Sequence, residues 1–582
     1  MRLRTLFMFT VLAVAVALAA SMTTASAEPP GFRTRRPSML TPVMTDVEIL
    51  PIVTVGDDLA GGYQFEAIPD GISVRPKANG RAEIYVNHET SKVPFPYNSA
   101  APTAANSEND FDNAQVSKLI VNSGGRVFSG EFAITSAQGF QRFCSNFLAT
   151  DAEGFDEDIL FTNEETPDFV FRQEKSWPPP IDDPDAEEAG LVVALDVSSG
   201  DVHPIYGMGR HNHENSVPIP GYDDLVILSG DDTFTSGPLT IPPGGPVTET
   251  SVAAQSELYS YIAPDADAIL GDEGTLWAFV SDNATFDDYY DFTPGSTQSI
   301  SGHFVQVPEN IATGVNADGT EIRAEDVGFP EPPADGSWQR DLRAPAVGID
   351  GPQWVLQYWA VQNNVFEFVR VEDIAYDKRP GMGNVVYVID SGRGTAGSPQ
   401  AGRSTNGRIW KMVLDPNDAT QVDSLSIFHD GDDNPVQTLN EIHQPDNLES
   451  TPNGLLVTED PGSSQQFPAG STLPNATTAR LWWVPFSGAP AVVAKVDQSA
   501  DGGPTDVDER TPGNWGAWES SGIVDASSIF GPGAYLIDVQ AHTLWVEKAN
   551  GPDLVAPAGP DWTFKREGGQ LLLIRIPATV AE

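Results

Sequence analysis

The chain has 582 residues, 40% of them hydrophobic, with 82 acidic against 32 basic side chains and a formal charge of −50. So acidic a surface repels nucleic acid and anionic lipid and draws cations instead. A single cysteine excludes a disulfide framework, so stability has to come from a core or from metal.

Residues 1–27 carry Arg2 and Arg4, the apolar run "LFMFTVLAVAVALAA" and a final "ASA", the layout of a secretory signal peptide. Export is therefore expected, to the periplasm or outside the cell, with residues 28–582 as the mature chain. Losing two arginines and no acids takes the formal charge from −50 to −52. No later stretch reaches the length of uninterrupted apolar sequence that a membrane helix needs, so no membrane association is expected after cleavage.

Along the mature chain, short β-rich runs end in acids or histidine, and each is followed after a polar loop by a second apolar strand. The pairs are "EIYVNHE" with "SKLIVN", "DILFTNEE" with "LVVALDV", and "LVILSGDD" with "ELYSYI". They continue as "VVYVIDSG" with "GRIWKMVL", "LLVTED" with "ARLWWVP", and "AYLIDVQAH" with "QLLLIRI", which makes six units. With 53 Gly, 48 Pro and no long helical period, the pattern predicts radial repetition of small sheets. Length alone suggests about four domains, but the repeat points to one: an all-β, six-bladed β-propeller with loop insertions, closing between the two ends of the mature chain. Residues 263–350 hold extra strands, "TLWAFVS" and "GHFVQVP". The proline-rich stretches "SWPPPIDDPDAEEAG" and "SGPLTIPPGGPVTE" read as surface loops, and "PDADAILGDEG", which misses the EF-hand spacing, reads as a turn.

In a propeller, residues leaving successive inner strands at one end converge on the axis. A second series of polar motifs precedes several units: "RFCSN", "RHNHENS", "FVRVED", "HQPDNLE" and "WESSGIVD". Cys144 thus takes the place in its repeat that Glu214, Glu372 and Asp446 take in theirs. Converging carboxylates need cations to stay ionised. Oxygen donors in number suit Ca²⁺, whereas a thiolate suits a softer ion such as iron. The plain alternatives are a cysteine that fills core space and acid pairs that are solvated loop groups. The zinc-protease, G-x-S-x-G and P-loop spacings are all missing.

Seven motifs, "YVNHE", "RFCSN" with "LFTNEE", "GRHNHEN", "ILSGDD" with "ELYSYI", "FEFVRVEDIAYD", "QPDNLESTPNGLLVTED" and "WESSGIVDASSIFGPGAYLIDVQAH", occur in the order found in the PhoX-like alkaline phosphatases. The chain resembles that family from residue 84 to about 576. The resemblance implies a secreted propeller that hydrolyses small phosphate monoesters at an iron–calcium cluster. It assigns metal binding to Cys144, Glu165, Glu214, Glu372, Asp446 and Asp460, Ca²⁺ and Fe³⁺ as cofactors, and phosphate contact to Arg370. Better-known members carry C-N-G-G, C-E-E and R-P-E where this chain has C-S-N, N-E-E and R-V-E. A calcium propeller of phytase or lactonase type, or a non-catalytic calcium-binding propeller, are the competing readings. A monomer is expected. Alternation along "FEFVRVED" predicts Arg370 and Glu372 on one face of a strand.

Overall fold

"LVVALDV" shows how this sequence makes blades. In the strand Val192–Asp196, Val193 and Leu195 pack with Tyr85, Val116 and Ile134 on one side. Val192 and Ala194 pack with Ile227 and Tyr261 on the other. Both faces of the sheet are covered, so the strand reads as continuously apolar rather than alternating. The same holds between later units, where Tyr387 and Ile389 meet Leu448, Leu455 and Trp482.

In this computed structural model the described residues are 31–66, 68–89, 113–172, 179–180, 183, 185–233, 255–333, 338–339, 348–392, 406–433, 440–460, 477–500, 518–541, 568–577 and 580, with the backbone of 544–547 and 562–565. The signal-peptide segment, the second proline-rich stretch, part of the first and His542 lie outside them.

Apart from two two-stranded ribbons, Phe169–Val170 with Glu187–Glu188 and Leu544–Glu547 with Trp562–Lys565, the described strands form six groups of antiparallel neighbours, two of them joined in one sheet. Their innermost members are Pro69–Lys77, Phe143–Ala149, His213–Ile219, Val371–Tyr376, Pro445–Ser450 and Trp518–Asp525. Each packs against the next, and the last against the first, closing a ring. The groups are called blades one to six in that order. Blade six is completed by Glu48–Thr54, which pairs with the C-terminal strand Gly568–Arg575 from Glu48↔Arg575 to Thr54↔Gln570. The ring is therefore locked by strands from opposite ends of the chain.

Four features differ from the sequence expectation. The acid-ended runs are the second strands of their blades, and the polar motifs that precede them are the innermost strands. Of the two extra strands, Thr275–Ser281 is the ordinary outer strand of blade three, while Ser299–Gln306 adds a fifth and pairs with Asp418–Asp430 of blade four. That pairing fuses blades three and four into one nine-stranded sheet. The turn at 264–274 holds a short helix, Ala266–Leu270, capped by Asp265. Finally, Pro352–Gln362 is a helix buried on nearly every face. No helix among the described residues is long and apolar enough to cross a membrane.

Candidate metal centre

Each innermost strand contributes its second residue to the axis: Asp70, Cys144, Glu214, Glu372, Asp446 and Glu519. In blades one to five the ladder slips just beyond that residue, between Pro69 and Ile72, Phe143 and Asn146, His213 and Ser216, Val371 and Ile374, and Pro445 and Leu448. A bulge of this kind bends a strand and re-aims a side chain, and here it recurs at one level around the ring. The residue after each second strand adds Glu89, Glu165, Asp232 and Asp460, with Ser391 in blade four.

Three donor groups result, each with ligand atoms within 4.8 Å of one another: Asp70, Glu89 and Cys144; Cys144, Glu165 and Glu214; Glu214, Glu372 and Asp446. Shared Cys144 and Glu214 link them into one chain. Cys144 Sγ donates to Asp70 Oδ2 at 2.8 Å. Small residues allow the close approach. A β-carbon on Gly71 would lie 2.3 Å from the Asn146 nitrogen, so only glycine fits where the inner strands of blades one and two touch.

Burial pushes the carboxyls of Glu165, Glu214, Glu372 and Asp446 well above the usual range, and their mutual charge adds to it. Burial likewise raises the Cys144 thiol, helped by Asp70, Glu214, Glu165 and Glu89. Asp70 is raised by burial against hydrogen bonds from Cys144 and Ser521 that favour its ionised form. Burial of this kind favours the protonated form of each group, and a bound cation would reverse that preference. The donor set therefore fits metal: oxygens in number for Ca²⁺, and a sulfur shared by two groups for a softer ion such as iron.

All seven residues singled out in the sequence lie at this end of the ring. The acids of each pair have separate fates. Glu164 is held by Arg172, Nη1 to Oε1 at 2.6 Å and Nη2 to Oε2 at 2.9 Å, and by the backbone of Gln141, Gly190 and Leu191. Glu459 is held the same way by Arg480 at 2.8 and 2.7 Å. Glu165 and Asp460, one residue on, turn to the axis. Asp460 lies near Asp70, Glu372 and Arg370, whose ionisation it influences.

Arg370 precedes its strand rather than sitting in it, with φ of 67°. The left-handed backbone sends the guanidinium to blade three, where Nε and Nη2 bond the two oxygens of Asp232 at 2.8 and 2.7 Å. Nη2 also reaches Glu372 Oε1 at 3.0 Å. Strand alternation predicted proximity to Glu372 but not the bidentate pairing with Asp232.

The sequence motifs did not mark Asp70, Glu89, Glu519 or Asp538 as axial residues. Glu89 had a signal: Asn87-His88-Glu89 matches Asn163-Glu164-Glu165, and the two asparagines do one job, bonding the Cys144 and Ser145 carbonyls at 2.5 and 2.8 Å. Asp70 shares the "PD" start of "PDNLE". Asp538 is fully buried beside Asp70 and Glu519, and among the described residues neither of its oxygens has a hydrogen-bond partner.

No family model and no curated protein matches the sequence. Among solved structures, Pseudomonas fluorescens PhoX in complex with vanadate, a transition state analogue, matches with a TM-score of 0.53 at 14% identity, covering 94% of this chain and 97% of that one. Trypanosoma rangeli sialidase in complex with 2,3-difluorosialic acid matches at a TM-score of 0.33 and 9% identity, covering 93% and 60%, which carries no argument. The chain has a PhoX-like fold. At this identity the likeness speaks for the fold alone.

Proposed function

We propose that this chain is an exported, metal-dependent phosphatase that hydrolyses small phosphate monoesters at the axial end of its propeller. The observation that carries the reading is the chain of three donor groups joined through Cys144 and Glu214. The PhoX neighbour, described with a transition state analogue bound, makes a phosphate ester the substrate class to try first.

Asp70, Glu89, Cys144, Glu165, Glu214, Glu372 and Asp446 would hold the cations, Ca²⁺ on the all-oxygen group and iron where Cys144 takes part, with Asp460 beside them. Cations bound there would supply neutralisation of phosphoryl oxygens and stabilisation of the charge that grows as the ester bond breaks. Arg370 carries the one guanidinium placed against both Asp232 and Glu372 among the described residues, and it orients those two carboxylates. Its planar fork suits a phosphate as well as it suits a carboxylate. Burial of the donors keeps bulk water from competing for the ions.

A second reading, a non-catalytic calcium-binding propeller, is favoured by one fact: Asp232 already occupies both Nε and Nη2 of Arg370. Phosphate release from a monoester by the purified protein, before and after chelation, separates the two. The phosphatase reading expects a loss of about tenfold or more that Ca²⁺ and iron reverse. Metal-loaded protein with no turnover supports the second reading, and turnover indifferent to chelator defeats the metal role.

A further inference from the structure

We propose that Asn447 is a positioning residue that sets the Asp70 and Glu214 carboxylates for cation binding by closing the floor of the axial site. The inference rests on the metal-binding reading of the cluster and is independent of whether the protein is a phosphatase.

Asn447 follows Asp446 in the innermost strand of blade five and is 2% exposed. Its Nδ2 donates to Ser145 Oγ at 2.8 Å, and Ser145 Oγ donates to Glu214 Oε1 at 2.7 Å. Its Oδ1 accepts from the Gly522 nitrogen at 2.6 Å and lies 3.0 Å from Ser521 Oγ, which reaches Asp70 Oδ1 at 2.7 Å. The network itself fixes the amide orientation. Gly522 N–H can only donate, so the oxygen of Asn447 must face it and the nitrogen must face Ser145. Ser145 has one proton. Accepting from Asn447 leaves that proton for Glu214, while the single proton of Ser521 is shared between Asp70 Oδ1 and Asn447 Oδ1, whose second lone pair stays open beside the Gly522 bond.

Blades two and five oppose each other in a ring of six, so the Asn447–Ser145 bond crosses the propeller axis. One amide thus connects Glu214 of blade three with Asp70 of blade one, carboxylates that belong to different donor groups. Fixing both before a cation arrives removes part of the ordering cost of binding. Partners of this kind, one bond removed from the ligand, are typically worth about 10- to 100-fold in metal affinity.

The test is calorimetric titration of the chelator-stripped full chain with Ca²⁺ alone, alongside denaturant unfolding with and without Ca²⁺. Asn447→Ala is expected to weaken Ca²⁺ binding by about 10- to 100-fold. Ser145→Ala should weaken it less and should add little on top of Asn447→Ala, because both cut the same path; Ser521→Ala, whose partner Asp70 shares a group with Cys144, should weaken binding in the same titration run with Fe²⁺. The serine variants remove only a hydroxyl and carry the test if Asn447→Ala fails to fold. Ca²⁺ affinity within about twofold of wild type in the folded Asn447→Ala and Ser145→Ala variants, or equal destabilisation with and without Ca²⁺, overturns the proposal. A wild-type chain that takes up no Ca²⁺ overturns the metal reading beneath it.

Discussion

Arg370→Ala separates the roles that one guanidinium can play at this site. The side chain is 9% exposed, and its partners Asp232 and Glu372 are 0% and 4% exposed. Removing one partner of so buried a pair costs about 3–5 kcal/mol, because it strands the remaining charge. That figure applies to metal-free protein. When cations occupy the neighbouring donors, the stranded carboxylates gain a new counter-charge and the cost shrinks. If about 2 kcal/mol of it is recovered, the thermodynamic cycle requires the variant to bind Ca²⁺ about 30-fold more tightly than wild type. Turnover moves the other way, falling on the order of 10² or more if the fork also contacts the phosphoryl group. Denaturant unfolding in chelator and in saturating Ca²⁺, a Ca²⁺ titration and a phosphate-release assay read all three quantities. A destabilisation of equal size with and without Ca²⁺ refutes the link between Arg370 and a cation cluster. Unchanged turnover in folded, metal-loaded variant refutes the phosphate contact.

Cys144→Ser should lose the softer ion while Ca²⁺ on the oxygen donors remains, as metal analysis and loss of any iron absorbance would show; an unchanged iron content contradicts it. Glu164→Gln, which breaks the paired contact with Arg172, should cost about 3–5 kcal/mol in unfolding with little change in metal content. Glu165→Gln, one residue on, should do the opposite, lowering metal content while leaving the stripped protein as stable as before or more so. Stripped protein should lose stability as pH rises from about 6.5 to about 8.5. Carboxyls such as Asp373, pushed up to about 7, and Glu257, pushed up to about 8, hold protons in the folded state that the unfolded chain has released. Buried His88, His211 and His213 do not oppose this trend, since they are neutral in both states over most of that window. Melting temperatures that rise over the window in chelator would contradict the burial of unneutralised acids. Gly71→Val should displace the Asn146 backbone and impair folding, measured as loss of soluble, cooperatively unfolding protein.

The blades were legible because each second strand is buried on both faces and ends in a polar pair, which makes a repeated pattern of apolar run and acid. The innermost strands were harder to read. They are short and carry Gly71, Ser145, Asn215 and Asn447 where they crowd the axis, so they look like polar loops. The first of them, "PDGISVRPK", is broken by Gly71 and Pro76 and was missed, and Asp70 went with it as one acid among 82. Cys144 was found because it is unique, and Glu214, Glu372 and Asp446 because their motifs repeat. What no pattern distinguished was Glu164 from Glu165, or Glu459 from Asp460. Their separation depends on Arg172 and Arg480, which fold back onto the pairs from beyond the loops that follow them. The helix Pro352–Gln362 is buried nearly all round and so shows no amphipathic period to find.

The central claim is that the axial cluster binds metal, and metal content measured on the purified full chain by elemental mass spectrometry, with Glu214→Gln as the comparison, tests it most directly. Glu214 belongs to two of the three donor groups, so the account predicts Ca²⁺ together with iron in the wild type and a loss from more than one group in the variant. Wild-type protein that retains no metal after purification in Ca²⁺ and iron, or a folded Glu214→Gln variant with the full complement, contradicts it.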